Sequence, residues 1–175
     1  RDIAQKFNND FNAPDFLKAP EPLIQKEFSR IMSLKDGIKK MSKSDPSDLS
    51  RINLTDEKEE IYNKIKRAKT DPMLMPTHIQ DLIGRPEAEN LLGIYSSLKN
   101  QKLENSVNEF NGKQFSEFKE KLSEALIEKI EPISKEVKKL LNDEKYLDEI
   151  LLNGAKKADK IAIKKIKEIK ELVGF

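Results

Sequence analysis

Residues 115–141 read FSEFKEKLSEALIEKIEPISKEVKKLL and form the longest stretch of the chain with a helical period. The apolar positions recur every three or four residues, at Phe115, Phe118, Leu122, Leu126, Ile130 and Ile133. Side chains at this spacing share one face of an α-helix, so the pattern predicts a long amphipathic helix. Pro132 has no amide hydrogen for the helix ladder, and we expect a kink at that residue.

Shorter helical patterns lie on both sides of this stretch. The same spacing predicts helices over residues 1–11, 55–69, 87–98 and 103–110. Thr55 and Asp56 are polar residues directly before an apolar period, and we interpret them as N-caps. After the long helix, the pattern predicts a helix that ends at residues 153–154 and then a separate last helix. No strand is predicted after Arg51, so the fold class should be mainly α.

A polar segment without any period separates the first helix from the second. Residues 35–51 contain Gly37, Pro46, four serines and four basic residues besides Lys35. This composition is typical of a surface loop, so we expect the segment to be mobile and exposed to solvent. A short apolar patch precedes it, at Phe28, Ile31, Met32 and Leu34.

Composition and charge exclude several kinds of site. The chain has 33 lysines and arginines against 31 acidic residues, a net charge of +2, which argues against a polybasic nucleic-acid binder. It has no cysteine, which excludes disulfides, thiolate catalysis and cysteine-bound zinc. The single histidine, His78, cannot build a histidine metal site. The missing cysteines and the single histidine thus lead us to expect no resident metal. Because no apolar run reaches the length of a membrane span, we expect a cytoplasmic protein without membrane contact.

Within the polar loop, two lysines flank small residues in the sequence Lys40-Met41-Ser42-Lys43-Ser44. Ammonium groups on a flexible loop can close over a triphosphate and neutralise charge during an in-line displacement. Backbone amides and serine hydroxyls can add hydrogen bonds to the phosphate oxygens. Composition alone leaves a second interpretation open, in which this is a solvated lysine-serine loop without a function.

The pentapeptide is identical to a signature of class I aminoacyl-tRNA synthetases, and its flanks resemble one branch of that family. The sequences SRIMSL at residues 29–34 and KKMSKSDP at residues 39–46 are similar to those of bacterial and mitochondrial tryptophanyl-tRNA synthetases. Further similar segments are residues 1–8, 91–95, 112–119 and 154–158. The resemblance extends over essentially the whole chain, which matches the C-terminal part of these enzymes.

This resemblance implies an activity and a set of site residues. The family activates tryptophan with ATP and Mg²⁺, releases pyrophosphate and transfers the amino acid to its tRNA. By resemblance, Lys40 and Lys43 are catalytic residues that bind the ATP phosphates, and Lys43 has the larger transition-state role. The backbone of Ile31 matches a position that contacts adenine. The remaining ATP-binding positions, which shape the loop and donate hydrogen bonds, are Met41, Ser42 and Ser44.

The resemblance also implies a domain organisation. Residues 1–50 correspond to the C-terminal edge of a Rossmann-like α/β catalytic domain, which includes the pentapeptide loop. Residues 51–175 correspond to an α-helical bundle that binds the anticodon side of tRNA. The implied partners are tRNA(Trp), tryptophan and ATP, and the implied full-length protein is a homodimer.

Two departures from the family pattern bear on activity. The other class I signature, a His-Ile-Gly-His-like element, does not occur in the sequence. In the family, that element and the tryptophan pocket lie N-terminal to the position of Arg1, so we expect a fragment that is inactive alone. Gly37-Ile38 stands where the family usually has a proline-containing turn, and we expect this difference to change the stiffness of the loop.

Two other functions remain as alternatives. Tyrosyl-tRNA synthetases share the pentapeptide and usually carry an extra RNA-binding module after the terminal helix. A helical RNA-binding module without catalysis would bind tRNA without ATP, and the logarithm of its affinity would fall linearly with the logarithm of salt. Residues 154–171 hold seven lysines against three acids, which fits either phosphate contact with tRNA or a solvated helix face.

The aromatic residues and the histidine carry weaker signals. Tyr95, Phe110, Phe115 and Phe118 lie at helical spacing. We expect them in the core, and stacking on an unpaired anticodon base is the alternative. Because no second histidine or cysteine accompanies His78, we expect it to be a surface residue without a direct role.

Overall fold

The computed structural model describes residues 1–24 and 29–175, so Phe28 of the predicted apolar patch lies outside the described residues. In chain order, the elements are α1 (Asp2–Asp10), β1 (Met32–Ser33), β2 (Asp36–Lys40), α2 (Lys58–Lys66), α3 (Pro86–Lys99), α4 (Leu103–Glu109), α5 (Phe115–Leu141) and α6 (Glu144–Val173), with 3-10 helices at Asp48–Ser50 and Ile79–Leu82. The predicted mainly α fold is confirmed. Every helix among the described residues is too short or too polar to cross a membrane.

The chain divides into two compact units. One consists of Arg1–Ile24 together with Leu140–Phe175, and the other is Gln25–Lys139. This division follows packing within the chain and does not coincide with the predicted boundary after residue 50. The assignment of residues 1–50 to a catalytic domain therefore stays a prediction.

In the first unit, the segment after α1 packs through aromatic rings and one lysine. The ring of Phe7 lies 4.7 Å from that of Phe11 and 6.0 Å from that of Phe16, measured between centroids. Lys165 of α6 places its ammonium 4.1 Å from the centre of the Phe16 ring and donates a hydrogen bond of 3.2 Å to the Phe16 carbonyl. This cation–π contact joins α6 to the segment that follows α1.

Helix α6 is continuous, so the predicted helix end at Asn153 and Gly154 is wrong. A glycine inside a helix costs only about 1 kcal/mol relative to alanine, and a long helix tolerates that cost. The observed ends have specific caps. Asp143 accepts a hydrogen bond from the Tyr146 amide at the start, and Gly174 adopts φ 90° at the end.

The core of the second unit lies among α2 to α5. Its fully buried apolar side chains include Ile61, Ile65, Leu91, Leu92, Val107, Phe110, Phe118 and Leu122. The rings of Tyr95, Phe110 and Phe118 meet edge to face, with centroids 4.8–6.0 Å apart. The predicted core role is confirmed for these three rings, and Phe115 is half-buried against the same cluster. These buried rings are not accessible to an RNA base.

The start of α2 differs from the predicted one. Glu57 is the N-cap, and its amide donates a 2.8 Å hydrogen bond to the Glu60 carboxylate in a capping box. Thr55 and Asp56 therefore do not cap the helix. The Asp56 side chain is buried and accepts a 2.6 Å hydrogen bond from the Lys64 ammonium. A buried lysine offers Asp56 a stronger, charged donor than a helix amide does.

A bidentate pair between Arg85 and Asp71 stabilises the segment between α2 and α3. The Arg85 guanidinium donates from Nε (2.9 Å) and Nη2 (2.8 Å) to the Asp71 carboxylate, and Nη2 also donates to the Leu74 carbonyl at 2.8 Å. Partial burial alone would raise the pKa of Asp71. The hydrogen bonds from Arg85 and from the Met73 amide nevertheless hold this pKa below its ordinary value.

Strands β1 and β2 form an antiparallel hairpin, with Met32 opposite Lys40 and Ser33 opposite Asp36. The prediction of a mobile loop beginning at Lys35 is therefore wrong for the five residues of β2. Two local bonds shape the turn: the Lys35 amide donates to Ser33 Oγ and the Ile38 amide donates to Asp36 Oδ1. The strand is mostly polar and exposed, so it carries no alternating pattern by which it could be predicted.

Candidate functional site

The pentapeptide begins at the last residue of the hairpin. Lys40 ends β2, and the amide of Met41 donates a 3.0 Å hydrogen bond to the carbonyl of Ile31, just before β1. The Met41 side chain is half-buried and packs against the hydrophobic core. The structure thus brings together the backbone of Ile31, predicted to contact adenine, and the predicted phosphate-binding residues. Met41 fixes the upstream end of the pentapeptide.

The centre of the pentapeptide is a tight exposed turn. The Asp45 amide donates to the Ser42 carbonyl at 3.2 Å, and the Ser44 amide donates to Ser42 Oγ at 3.3 Å. The hydroxyl oxygens of Ser42 and Ser44 lie 2.9 Å apart. Lys43 lies within this turn and is exposed, as Lys40 is at its upstream end. The turn presents the Lys43 side chain on the outside of the loop.

The ammonium groups of the pentapeptide are available to an anionic ligand. In the part of the chain that the structure describes, neither Lys40 nor Lys43 has a carboxylate partner within 4 Å, whereas the neighbouring Lys39 lies 3.4 Å from Asp45. An ammonium without a protein counter-ion can pair with a phosphate without breaking an internal ion pair first. Both predicted catalytic lysines therefore lack an internal carboxylate partner among the described residues, a property that they share with the exposed Lys35.

The downstream end of the pentapeptide is held by Asp45 and Arg51. The Ser47 amide donates a 2.8 Å hydrogen bond to Asp45 Oδ1, and Arg51 Nη1 donates to the carbonyls of Asp45 (2.9 Å) and Ser47 (3.4 Å). The bond from the Ser47 amide, helped by Lys39, holds the pKa of Asp45 below its ordinary value. Asp45 is therefore a carboxylate at neutral pH and can keep its contacts with the Ser47 amide and with Lys39.

A cluster of charged side chains joins this end of the loop to α2. Asp48 lies 2.6 Å from the Lys64 ammonium and 2.9 Å from Arg51, and it accepts a 3.0 Å hydrogen bond from Asn53. Lys64 is also 2.6 Å from the buried Asp56. Burial alone would lower the pKa of Lys64, but the hydrogen bonds from Lys64 to Asp48 and Asp56 raise it overall. Lys64 is therefore a charged ammonium at neutral pH.

On its other side, the hairpin is hydrogen-bonded to the side chain of Asn90 in α3. The Asn90 carboxamide accepts a 2.8 Å hydrogen bond from the Met32 amide and donates a 3.0 Å bond to the Met32 carbonyl. Asn90 therefore pairs with β1 much as a neighbouring strand would. Met32 follows Ile31 directly, so this pair also fixes the backbone at the predicted adenine contact.

Gly37 lets the hairpin approach the start of α3 closely. A Cβ atom at Gly37 would lie 2.6 Å from backbone atoms of both Pro86 and Glu87. Lys69, 2.7 Å away, and a hydrogen bond from the Gly37 amide hold the pKa of Glu87 below its ordinary value. The backbone of Lys69 also donates a 2.7 Å hydrogen bond to the Leu34 carbonyl. The departure from the family's proline-containing turn thus falls at a packing contact.

Sequence reasoning missed the residues that hold the loop: Arg51, Asp48, Lys64, Asn90 and, as a packing contact, Gly37. Each acts through a contact with a partner that no local period or motif reveals, 58 residues apart for Asn90 and Met32.

His78 is exposed, and its amide donates to the Asp81 carboxylate before a 3-10 helix. The lysines of α6 are mostly exposed, which leaves both interpretations of them open.

Sequence comparison places these residues within a known family. The family described as tRNA synthetases class I (W and Y) matches residues 1–131. A tryptophan–tRNA ligase from Caulobacter vibrioides is 49% identical over 175 residues, which are 100% of this chain and 51% of that protein. A tryptophan–tRNA ligase from Rickettsia conorii is 47% identical over 175 residues, which are 100% of this chain and 52% of that protein. The chain spans about half the length of the curated relatives that it matches.

Solved structures with the same fold point in the same direction. The tryptophanyl-tRNA synthetase from Mycoplasma pneumoniae superposes with a TM-score of 0.80 at 25% identity, over 100% of this chain and 51% of that one. The enzyme from Campylobacter jejuni, complexed with ADP and tryptophan, gives a TM-score of 0.67 at 25% identity, over 100% of this chain and 52% of that one. With the family match over residues 1–131, these findings show that the chain belongs to the class I tRNA synthetases of the W and Y family.

Proposed function

We propose that the protein to which this chain belongs is a tryptophan–tRNA ligase. It activates tryptophan with ATP and then transfers the amino acid to tRNA(Trp). The observation that carries the proposal is the pentapeptide: among the described residues its two exposed lysines have no carboxylate partner, and Lys43 lies between the fixed positions of Met41 and Asp45. The tryptophan-specific names of the 42–49% identical relatives support the choice of amino acid.

In the activation step, a carboxylate oxygen of tryptophan attacks the α-phosphorus of ATP. The bond from phosphorus to the bridging oxygen breaks, and pyrophosphate leaves with the electron pair. Negative charge grows on the leaving pyrophosphate as this bond lengthens. The ammonium groups of Lys40 and Lys43 offset that charge, and Lys43, within the exposed turn, has the larger effect.

The other residues of the proposed ATP site prepare the loop and the adenine end. The backbone of Ile31 contacts adenine and is joined to the pentapeptide by the 3.0 Å bond from Met41. Ser42 and Ser44 shape the turn, and their hydroxyl hydrogens can rotate from each other toward phosphate oxygens. Closure of the loop would bring these groups to the nucleotide only when it is bound.

Magnesium accompanies the nucleotide in this proposal, held by phosphate oxygens. The described ranges, 1–24 and 29–175, contain no group of three or more acidic or histidine side chains placed to hold a metal. From the resemblance, we also propose a cytoplasmic homodimer, in which residues 1–50 belong to the catalytic domain and residues 51–175 bind the anticodon side of tRNA.

The proposal is tested by measuring ATP–pyrophosphate exchange by the full-length protein with tryptophan and with tyrosine. We expect exchange that depends on tryptophan and is close to background with tyrosine. Exchange that depends on tyrosine would assign the protein to the other branch of the family. Absence of exchange with both amino acids, together with salt-sensitive tRNA binding that needs no ATP, would show a non-catalytic RNA-binding module.

A further inference from the structure

We call residues 41–51, which include most of the pentapeptide, the phosphate loop. The carboxylate of Asp48 joins this loop to α2. One oxygen lies 2.6 Å from the ammonium of Lys64, and the other lies 2.9 Å from Arg51. The Asp48 side chain is 55% exposed. More than half of the Asp48 side chain is thus open to solvent, whereas its lysine partner is buried.

The partner of Asp48 on α2 is itself rigidly held. Lys64 is 4% exposed, and its ammonium lies 2.6 Å from Asp56, which is 5% exposed. Asp56 in turn accepts hydrogen bonds from the amide (2.8 Å) and the side chain (3.0 Å) of Asn53. The position of the ammonium is therefore set by buried contacts on the helix side. Asp48 brings the loop to this fixed charge.

From Asp48, a short path of contacts leads to the pentapeptide. Arg51, paired with Asp48, donates 2.9 Å to the carbonyl of Asp45, the residue after Ser44. At the other end, Met41 is fixed by its bond to the hairpin. Only three residues lie between Met41 and Asp45, and Lys43 is the middle one. The position of Asp45 therefore limits where the Lys43 ammonium can reach.

We propose that Asp48 is a positioning residue: its ion pairs with Lys64 and Arg51 fix the downstream end of the pentapeptide, so that Lys43 meets the triphosphate in the transition state. The inference rests on the proposed function and adds a requirement to it. Helix α2, outside the proposed catalytic domain, sets the geometry of the phosphate loop. A displacement of a reacting group by about 1 Å can cost about 100-fold in rate, so a tether of this kind has a measurable effect.

The test uses Asp48→Asn in the full-length protein, because this variant keeps the shape of the side chain and removes its charge. We expect kcat for tryptophan-dependent ATP–pyrophosphate exchange to fall about 10- to 100-fold. The KM for tryptophan should stay unchanged, because among the described residues the partners of Asp48 are Lys64, Arg51 and Asn53, none of which is a proposed substrate-binding residue. Glu59→Gln is the matched control, because Glu59 is an exposed carboxylate on α2, and its exchange should equal that of the wild type.

A double-variant cycle separates positioning from a general loss of structure. If Asp48 acts through Lys43, then adding Asp48→Asn to Lys43→Ala should change kcat little further. If the losses in kcat of the two single variants multiplied in the double variant, the positioning role would be wrong. It would also be wrong if Asp48→Asn had the kcat of the wild type. Asp48→Glu keeps the carboxylate, so its kcat should lie above that of Asp48→Asn. If the two variants were equally slow, the ion pairs of Asp48 would not explain the loss.

The same cycle distinguishes this inference from the proposed function. If Lys43→Ala slows exchange and Asp48→Asn does not, only the positioning role is wrong. If Lys43→Ala leaves exchange unchanged, the catalytic role of Lys43 and the positioning role of Asp48 are both wrong.

Discussion

Gly37 has no side chain at the place where the hairpin meets the start of α3. Its added Cβ would lie 2.6 Å from backbone atoms of Pro86 and Glu87, which are parts of a helix and cannot rotate away. Gly37→Ala should therefore force the hairpin outward and lower the free energy of unfolding by about 1–3 kcal/mol. Urea denaturation of the variant and the wild type measures this difference.

Gly154 provides the matched control for that substitution. It lies inside α6, and a Cβ atom there would meet nothing within 4 Å. Gly154→Ala should raise stability by about 0.5–1 kcal/mol, since alanine has the higher helix propensity. Equal effects of the two substitutions would contradict the assignment of Gly37 to a packing contact.

The ion pair of Asp71 with Arg85 predicts a dependence of stability on pH. The pKa of Asp71 is lowered in the folded protein from 3.8, so its carboxylate stabilises the fold above that pH. The contribution is lost as the pH falls through the folded pKa. Asp71→Asn should thus be less stable than the wild type at pH 7, by about 1.5–3 kcal/mol.

Below about pH 4, protonation of Asp71 should bring the two proteins closer together in stability. Urea denaturation at a series of pH values from 7 to 3 would follow this convergence. A difference that stays constant down to the lowest pH would show that Asp71 does not titrate with a lowered pKa.

Among elements, the helices of the second unit could be predicted closely from the sequence, whereas the hairpin could not. Ile61, Ile65 and Leu91 carry a helical period because each is buried against one core. The hairpin has no such pattern, because most of β2 is exposed and its partner is only two residues long. Its position is fixed from outside, by Asn90 of α3 and by the backbone of Lys69 after α2.

The role of Asn90 gives a prediction for this element. Asn90→Ala removes both hydrogen bonds to Met32 and keeps a residue with high helix propensity. We expect a higher KM for ATP, because the adjacent backbone of Ile31 loses its support at the proposed adenine contact. Steady-state exchange kinetics at varied ATP measure this change.

Asn105→Ala is the control for this prediction. Asn105 is exposed on α4, so its substitution should leave the KM for ATP unchanged. A wild-type KM in Asn90→Ala would show that the adenine end does not depend on the link to α3.

At the scale of the whole molecule, the family could be recognised from five consecutive residues and their flanks, and residues 1–131 match that family. The pentapeptide could be recognised because its residues are consecutive in sequence. The three residues between Met41 and Asp45 form a single turn. The residues that hold the loop in place could not be predicted from the sequence. Asp48, Lys64 and Asn90 become partners of the loop or of each other only after the helices pack.

The central claim is that the ammonium groups of Lys40 and Lys43 offset charge on the triphosphate during activation of tryptophan. The most direct measurement is tryptophan-dependent ATP–pyrophosphate exchange by the full-length protein carrying both Lys40→Ala and Lys43→Ala, beside Lys35→Ala in the exposed hairpin turn as the control. We predict that the double variant is slower by about 100- to 1,000-fold or more, while the control exchanges at the wild-type rate. Exchange by the double variant at the rate of the control would contradict the account.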